Sequence, residues 1–176
     1  MDSGFERTTR VFAAKTRTEL ARLAKKGVLT VGNAFSSVVL VKGVPNEAER
    51  DGGGVLAGTD GMALRAALSK LGYAPEDWCG LACWDANGGL LSPELLRLAL
   101  ATLDPATVVA CDDVAATLVC NAFLGDLFSL EVGRVTILDG MRVLTLGGFE
   151  AALGSMPAKQ LMWARLKQIP PLAEPY

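Results

Sequence analysis

Residues 42–64, KGVPNEAERDGGGVLAGTDGMAL, decide the fold. Just before them, residues 37–42 (SVVLVK) form a β-branched run without polar alternation, the pattern of a parallel strand buried on both faces. A glycine-rich acidic loop follows. Leu64, Ala67, Leu68 and Leu71 then recur at helical spacing up to Gly72, with Asp60 placed to cap that helix. A buried strand that passes through such a loop into a helix marks the edge of an open α/β sheet where sites are usually built.

The same alternation extends in both directions. Upstream, Val11, Phe12, Leu20 and Leu23 predict an amphipathic helix over 5–26, stopped at Gly27. Its other face carries Arg7, Arg10, Lys15, Arg17, Arg22, Lys25 and Lys26 against Asp2, Glu6 and Glu19, and is read as solvated. Downstream, a strand over 78–83 leads to an Asn87-Gly88-Gly89 turn and a helix opened by Ser92-Pro93-Glu94. Asp104-Pro105 ends that helix. Residues 107–111 (TVVAC) form the next buried strand, and Asp112-Asp113 starts a helix to about 121. Asp139-Gly140 joins 134–138 and 142–146 in a tight hairpin, and Pro157 starts a last helix ended by Pro170-Pro171. Phe123, Leu124, Leu127 and Phe128 are read as core, with an exposed apolar surface for a protein partner as the alternative.

These elements predict an α/β fold: a single domain over 1–176, with its N-terminal helix inside 1–27, built as a three-layer α/β/α sandwich around a mainly parallel central sheet. The loops at the strand carboxyl ends, 43–58, 84–91, 111–113 and 147–154, should then meet at one cleft.

Composition narrows the chemistry. The chain of 176 residues is 51% hydrophobic and 20% charged, which suits one well-filled core. A net charge of -2 gives no global attraction to nucleic acid, so any such binding needs a local patch. The chain has no histidine, which excludes imidazole bases, acids and ligands. No apolar run is long enough for a signal peptide or a span, so a cytoplasmic protein with no membrane partner is expected. Cys79, Cys83, Cys111 and Cys120 lack CxxC spacing and are read as buried thiols, with no metal and no cofactor expected. Cys79 and Cys83 fall on one face of their strand, and a thiolate there would need a cation or a helix end to activate it.

Gly52-Gly53-Gly54 lacks the spacing of a phosphate loop. Glu47, Glu49 and Asp51 are read as solvated rather than metal-binding.

The order of elements and the loop residues resemble the uracil-DNA glycosylase superfamily, above all its thermostable bacterial family four, over 37–169. That family's strand is followed by GEAPG, an acidic stretch and GRPFVGRAG; here Pro45, Glu47, Glu49, Gly52 or Gly53, Gly58, Gly61 and Leu64 match without a gap. SPELLRLALATLDPATVVAC followed by DDVAATL is similar to the family's middle segment. MRVLTLGGFEAALGSMPAKQLMWARLK is similar to its closing one, with Lys159, Trp163 and Leu166 in register.

The resemblance implies a cleft that receives a base flipped out of DNA, lined by Gly43, Val44, Pro45, Asn46, Leu56, Cys79, Gly148 and Phe149. Several of these depart from the family. Gly43 stands for the glutamate of GEAPG, Leu56 for the stacking phenylalanine, Cys79 for the base-reading asparagine, and Gly148-Phe149-Glu150 for the HPS loop. Cys83 falls on one iron-sulfur position, but Ala99 stands at its partner and the N-terminal pair has no counterpart, so no cluster is expected.

The expected function is therefore a divergent uracil-DNA glycosylase-like protein without conventional uracil excision, with DNA or a nucleobase as ligand. Two alternatives stand beside it: a glycosylase or hydrolase using Glu47, Glu49 or Asp112 to activate water, and a protein-interaction scaffold. A DNA footprint is expected on the first helix or on Lys159, Arg165 and Lys167.

Overall fold

The computed structural model describes residues 4–171, with side chains from residue 11 onward apart from Phe12. The expected contributions of Asp2, Glu6, Arg7, Arg10 and Phe12 to the first helix lie outside the described side chains. In chain order, α1 (Gly4–Lys25) precedes β1 (Thr30–Gly32) and β2 (Val38–Lys42), and α2 (Glu47–Arg50) and α3 (Thr59–Lys70) lead to β3 (Trp78–Ala82). Next come α4 (Pro93–Leu103), β4 (Thr107–Ala110) and α5 (Asp113–Phe123). They are followed by β5 (Val135–Leu138), β6 (Met141–Thr145), α6 (Phe149–Ala152) and α7 (Met156–Leu166).

The strands form one sheet in the order β1-β3-β2-β4-β6-β5. Its four inner strands are parallel: Val39 lies beside Cys79 and Val108, and Val109 beside Leu144. Both edges are antiparallel, so the sheet is mixed rather than mainly parallel throughout. The β5 edge follows from its turn. Asp139 and Gly140 both take positive φ, at 47° and 83°, and a two-residue connection can only return the chain antiparallel.

Alternation along the inner strands divides the core between two layers. Val39, Val41, Cys79, Leu81 and Val108 face α1, α4 and α5, where they meet Leu23, Leu96, Leu100 and Leu118. Val38, Leu40, Val109 and Leu144 face α3 and α7, meeting Leu64, Leu68, Met162 and Leu166. The arrangement is compatible with an α/β/α sandwich. Among the described residues no helix is long and apolar enough to cross a membrane.

Local chemistry explains most of the element ends. Ser92 caps α4 by accepting from the Leu95 N–H at 3.2 Å, and Asp112 caps α5 by accepting from Ala115 at 2.9 Å. Two expectations need correction. Asp60 does not cap α3; Gly58 holds that position, and the Asp60 carboxylate turns inward to a buried lysine. Leu127 and Phe128 are not core, since they are 91% and 61% exposed and Leu124 is exposed beside them. Only Phe123 packs, partly against the core and under the Arg97 guanidinium at 5.1 Å. The loop carrying the others runs outside the helical layer.

The entry to α3 is tight. Leu56 has φ of 62°, a left-handed conformation that a side chain rarely adopts, and its side chain is fully buried. Its N–H donates to Glu49 Oε1 at 2.6 Å and its carbonyl accepts from Arg65 at 3.1 Å. Gly61 packs directly against that carbonyl, with no room for a Cβ. In a helix interior alanine is ordinarily preferred over glycine by about 1 kcal/mol. Here the collision outweighs that preference, so Gly61→Ala should lower stability by about 3 kcal/mol in urea unfolding. A change below about 0.5 kcal/mol, as at an ordinary surface site, would show that the approach is not tight.

Candidate functional site

Strand order reverses between β2 and β4, because the chain leaves β2 toward β3 on one side and reaches β4 on the other. In open α/β sheets ligands bind outside the carboxyl ends of the strands at such a switch point. The segment after β2 begins at Gly43 and the one after β4 at Cys111 and Asp112. Asp112 joins them: its Oδ2 accepts from the N–H groups of Gly43 at 2.9 Å and Val44 at 3.1 Å, while its Oδ1 caps α5. Gly43 is required by this approach, since a Cβ would run into Asp112 and the Ala115 nitrogen.

Beneath the junction lies Lys42, 2% exposed at the end of β2. Its Nζ sits 2.7 Å from Glu49 Oε2 and 2.5 Å from Asp60 Oδ2. Glu49 in turn accepts from the backbone of Asn46 at 2.8 Å and of Leu56, and Asp60 Oδ1 accepts from Asn46 Nδ2 at 2.9 Å. Asn46 and Glu49 also complete a reciprocal capping box on α2. One ammonium thus ties the strand, the 43–58 loop and α3 together. Burial acts to lower the Lys42 pKa, but Asp60 and Glu49 outweigh it and hold the value above 10.5.

Over this network opens a pocket of about 390 Å³, lined by Lys42, Val44, Asp112, Gly148, Phe149 and Glu150 among others. Val44, Asp112, Gly148 and Phe149 thus line one pocket. Glu150 was not among the candidates, yet it is the acid of the pocket without a hydrogen bond: 47% exposed, with Oε2 3.7 Å from Lys42 Nζ. Three carboxylates, Asp60, Asp112 and Glu150, face one cation here.

The other candidates lie elsewhere. Glu47 is exposed on α2. Glu49 is buried, with both oxygens occupied. Leu56 is a core side chain. Cys79 sits fully buried on the α1, α4 and α5 side of the sheet, near the amino end of β3, where Val39 and Gly32 flank it. Pro45 lines a separate cavity of about 470 Å³ between the glycine loop and residues 84–88. The Gly52 and Gly53 N–H groups turn back to the carbonyls of Glu49 and Ala48, so they are not arranged to cradle a phosphate.

Burial pushes the thiols up, Cys79 to about 11 and Cys83 to about 12, with Cys111 and Cys120 also raised, so none is a thiolate near neutral pH. Among the described residues no group of three or more histidine, cysteine, aspartate or glutamate residues is placed to hold a metal ion.

Removing the ammonium while leaving its acids should be severe. Lys42→Met should lose about 3–5 kcal/mol in urea unfolding at pH 7, because Glu49 and Asp60 stay buried without a counter-charge. Lys42→Met combined with Glu49→Gln and Asp60→Asn should recover much of it. A raised folded pKa makes the lysine's contribution full below about 10.5 and lost as pH rises through the folded value. The stability gap between the wild type and Lys42→Met should therefore narrow only in strongly alkaline buffer, and a gap that closes by pH 8 would contradict the ion-pair account.

Comparison with protein-family models and with curated proteins finds no match to this chain.

Proposed function

We propose that this chain is a divergent relative of the uracil-DNA glycosylases that binds a nucleobase in the switch-point pocket and does not perform conventional uracil excision. The reading rests on the pair formed by Lys42 Nζ and Glu150 Oε2, held 3.7 Å apart within the pocket. Two of the ammonium's three N–H groups are directed to Glu49 and Asp60, which leaves one donor beside the Glu150 carboxylate, an ion-pair partner that accepts no hydrogen bond among the described residues. A donor and an acceptor side by side complement the lactam edge of a base, where a ring N–H adjoins a carbonyl. Uracil, hypoxanthine, xanthine and guanine present that edge, and adenine and cytosine present an equivalent donor and acceptor in their amino group and ring nitrogen, whereas a fully N-methylated base such as caffeine presents no donor. Phe149 and Val44 add apolar surface for the ring.

Excision needs a group that activates water or stabilises the departing base. The oxygens of Glu49, Asp60 and Asp112 are already occupied by the lysine and by N–H donors. Glu150 is assigned to the base, and no histidine exists to replace it. The excess of carboxylates also repels phosphate, which favours a free base or nucleoside over a DNA strand.

Calorimetric titration with hypoxanthine, guanine, uracil, adenine, cytosine and caffeine tests the reading. The five bases with an N–H donor should each bind at least tenfold more tightly than caffeine. Glu150→Gln should erase about tenfold of that affinity, as the loss of a hydrogen bond to a charged group of about 1.5 kcal/mol implies. Oligonucleotides containing uracil, hypoxanthine or xanthine should release no base. Binding of caffeine as tight as that of the five bases would remove the edge assignment, and base release lost in Glu150→Gln would make the protein a glycosylase.

A further inference from the structure

A third cavity, of about 610 Å³, opens between α3 and α7. It exists because α3 turns Ala63, Ala66 and Ala67 toward α7, three small side chains at i, i+3 and i+4 where bulkier ones would close the gap. The floor is formed by buried Met162 and Leu166 with Leu153 alongside. Its size is that of a site for a small organic ligand.

The polar character of the lining is one-sided. Its polar side chains are Lys70 on α3 and Lys159 and Trp163 on α7, and every one of them is a hydrogen-bond donor. No acidic side chain lines the cavity, although the chain as a whole carries more acids than bases. Neither lysine has an ion-pair partner among the described residues. An apolar interior with unpartnered cations on both walls complements an amphiphile bearing a single negative charge. Alanine, leucine and a pliable methionine make up most of the apolar lining, with the rings of Phe149 and Trp163 beside them, and such a surface accommodates a flexible chain.

We propose that this groove binds the free carboxylate of a medium-chain aliphatic acid, with the chain laid over Met162 and Leu166 and the carboxylate between Lys70 and Lys159. The site is independent of the lysine-glutamate pair that supports nucleobase binding, although Phe149 borders both cavities.

The experiment is titration of the full chain with dodecanoate and with dodecanol, which has the same tail and no charge, below the concentrations at which either aggregates. Dodecanoate should bind one to one and at least tenfold more tightly than dodecanol. The double variant Lys70→Met and Lys159→Met should lose that advantage while keeping its affinity for dodecanol. Ala66→Leu, on the exposed side of α3, should abolish binding of both by filling the cavity. Circular dichroism melting checks that each variant is folded, and should Ala66→Leu not fold, the lysine variant decides. No dodecanoate binding, equal binding of acid and alcohol, tighter binding of naphthalene-2-carboxylate than of dodecanoate, or unchanged binding in a folded Ala66→Leu variant would each overturn the proposal.

Discussion

The burial of one ammonium group at the end of β2 governs the functional end of this molecule. A charge at Lys42 is tolerable only with counter-charges in contact, and two arrive from different elements, Glu49 from the single turn of α2 and Asp60 from the first turn of α3. Each then needs further donors for its remaining oxygens. Those donors are the Asn46 side chain and the backbone of Asn46 and Leu56, so the requirement propagates along the whole loop. The unusual backbone at Leu56 and the closeness of Gly61 follow from the same demand. An uncharged residue at position 42 would remove the reason for most of this construction.

The loop chemistry of the resembled family and the chemistry found here part at this point. Gly43 stands where an acid is expected, and its lack of a side chain lets Asp112 lie across the junction and bind two N–H groups. Leu56 stands where an aromatic ring would stack on a base, and is instead a core residue. A carboxylate does enter the pocket, but it comes from Glu150, on the segment after β6. The carboxylates of this cleft are supplied by α3 and by the segments after β4 and β6.

Much of the scaffold was legible in the sequence because it is encoded locally. Runs of β-branched residues gave β2 and β4, hydroxyl and carboxylate caps gave the starts of α4 and α5, and Asp139-Gly140 gave the hairpin. What escaped was short or depended on distant partners. β1 has three residues and no apolar alternation to announce it. α2 is a single turn, though Asn46 followed three residues later by Glu49 is a capping-box signal that was present to be read. Asp60 looks like a cap until Lys42 is brought beside it. Glu150 becomes notable only once β2 and the β6–α6 junction are adjacent, and no spacing rule connects them. Leu127 and Phe128 fit a core and an exposed surface equally well as sequence, because hydrophobicity without periodicity carries no direction.

The network around Lys42 also has a kinetic meaning. A loop held by scattered weak contacts can lift as a lid, each contact yielding in turn. The 43–58 segment has no such gradual path, because displacing α2 parts Glu49 from the buried ammonium and Asn46 from Asp60 together. The wall of the pocket on that side is consequently stiff, and the entrance is shaped before any ligand arrives. Adjustment is left to the half-exposed Glu150 and the glycine pair Gly147-Gly148 beneath it, so selection among ligands falls to a fixed outline with one movable side chain at its rim.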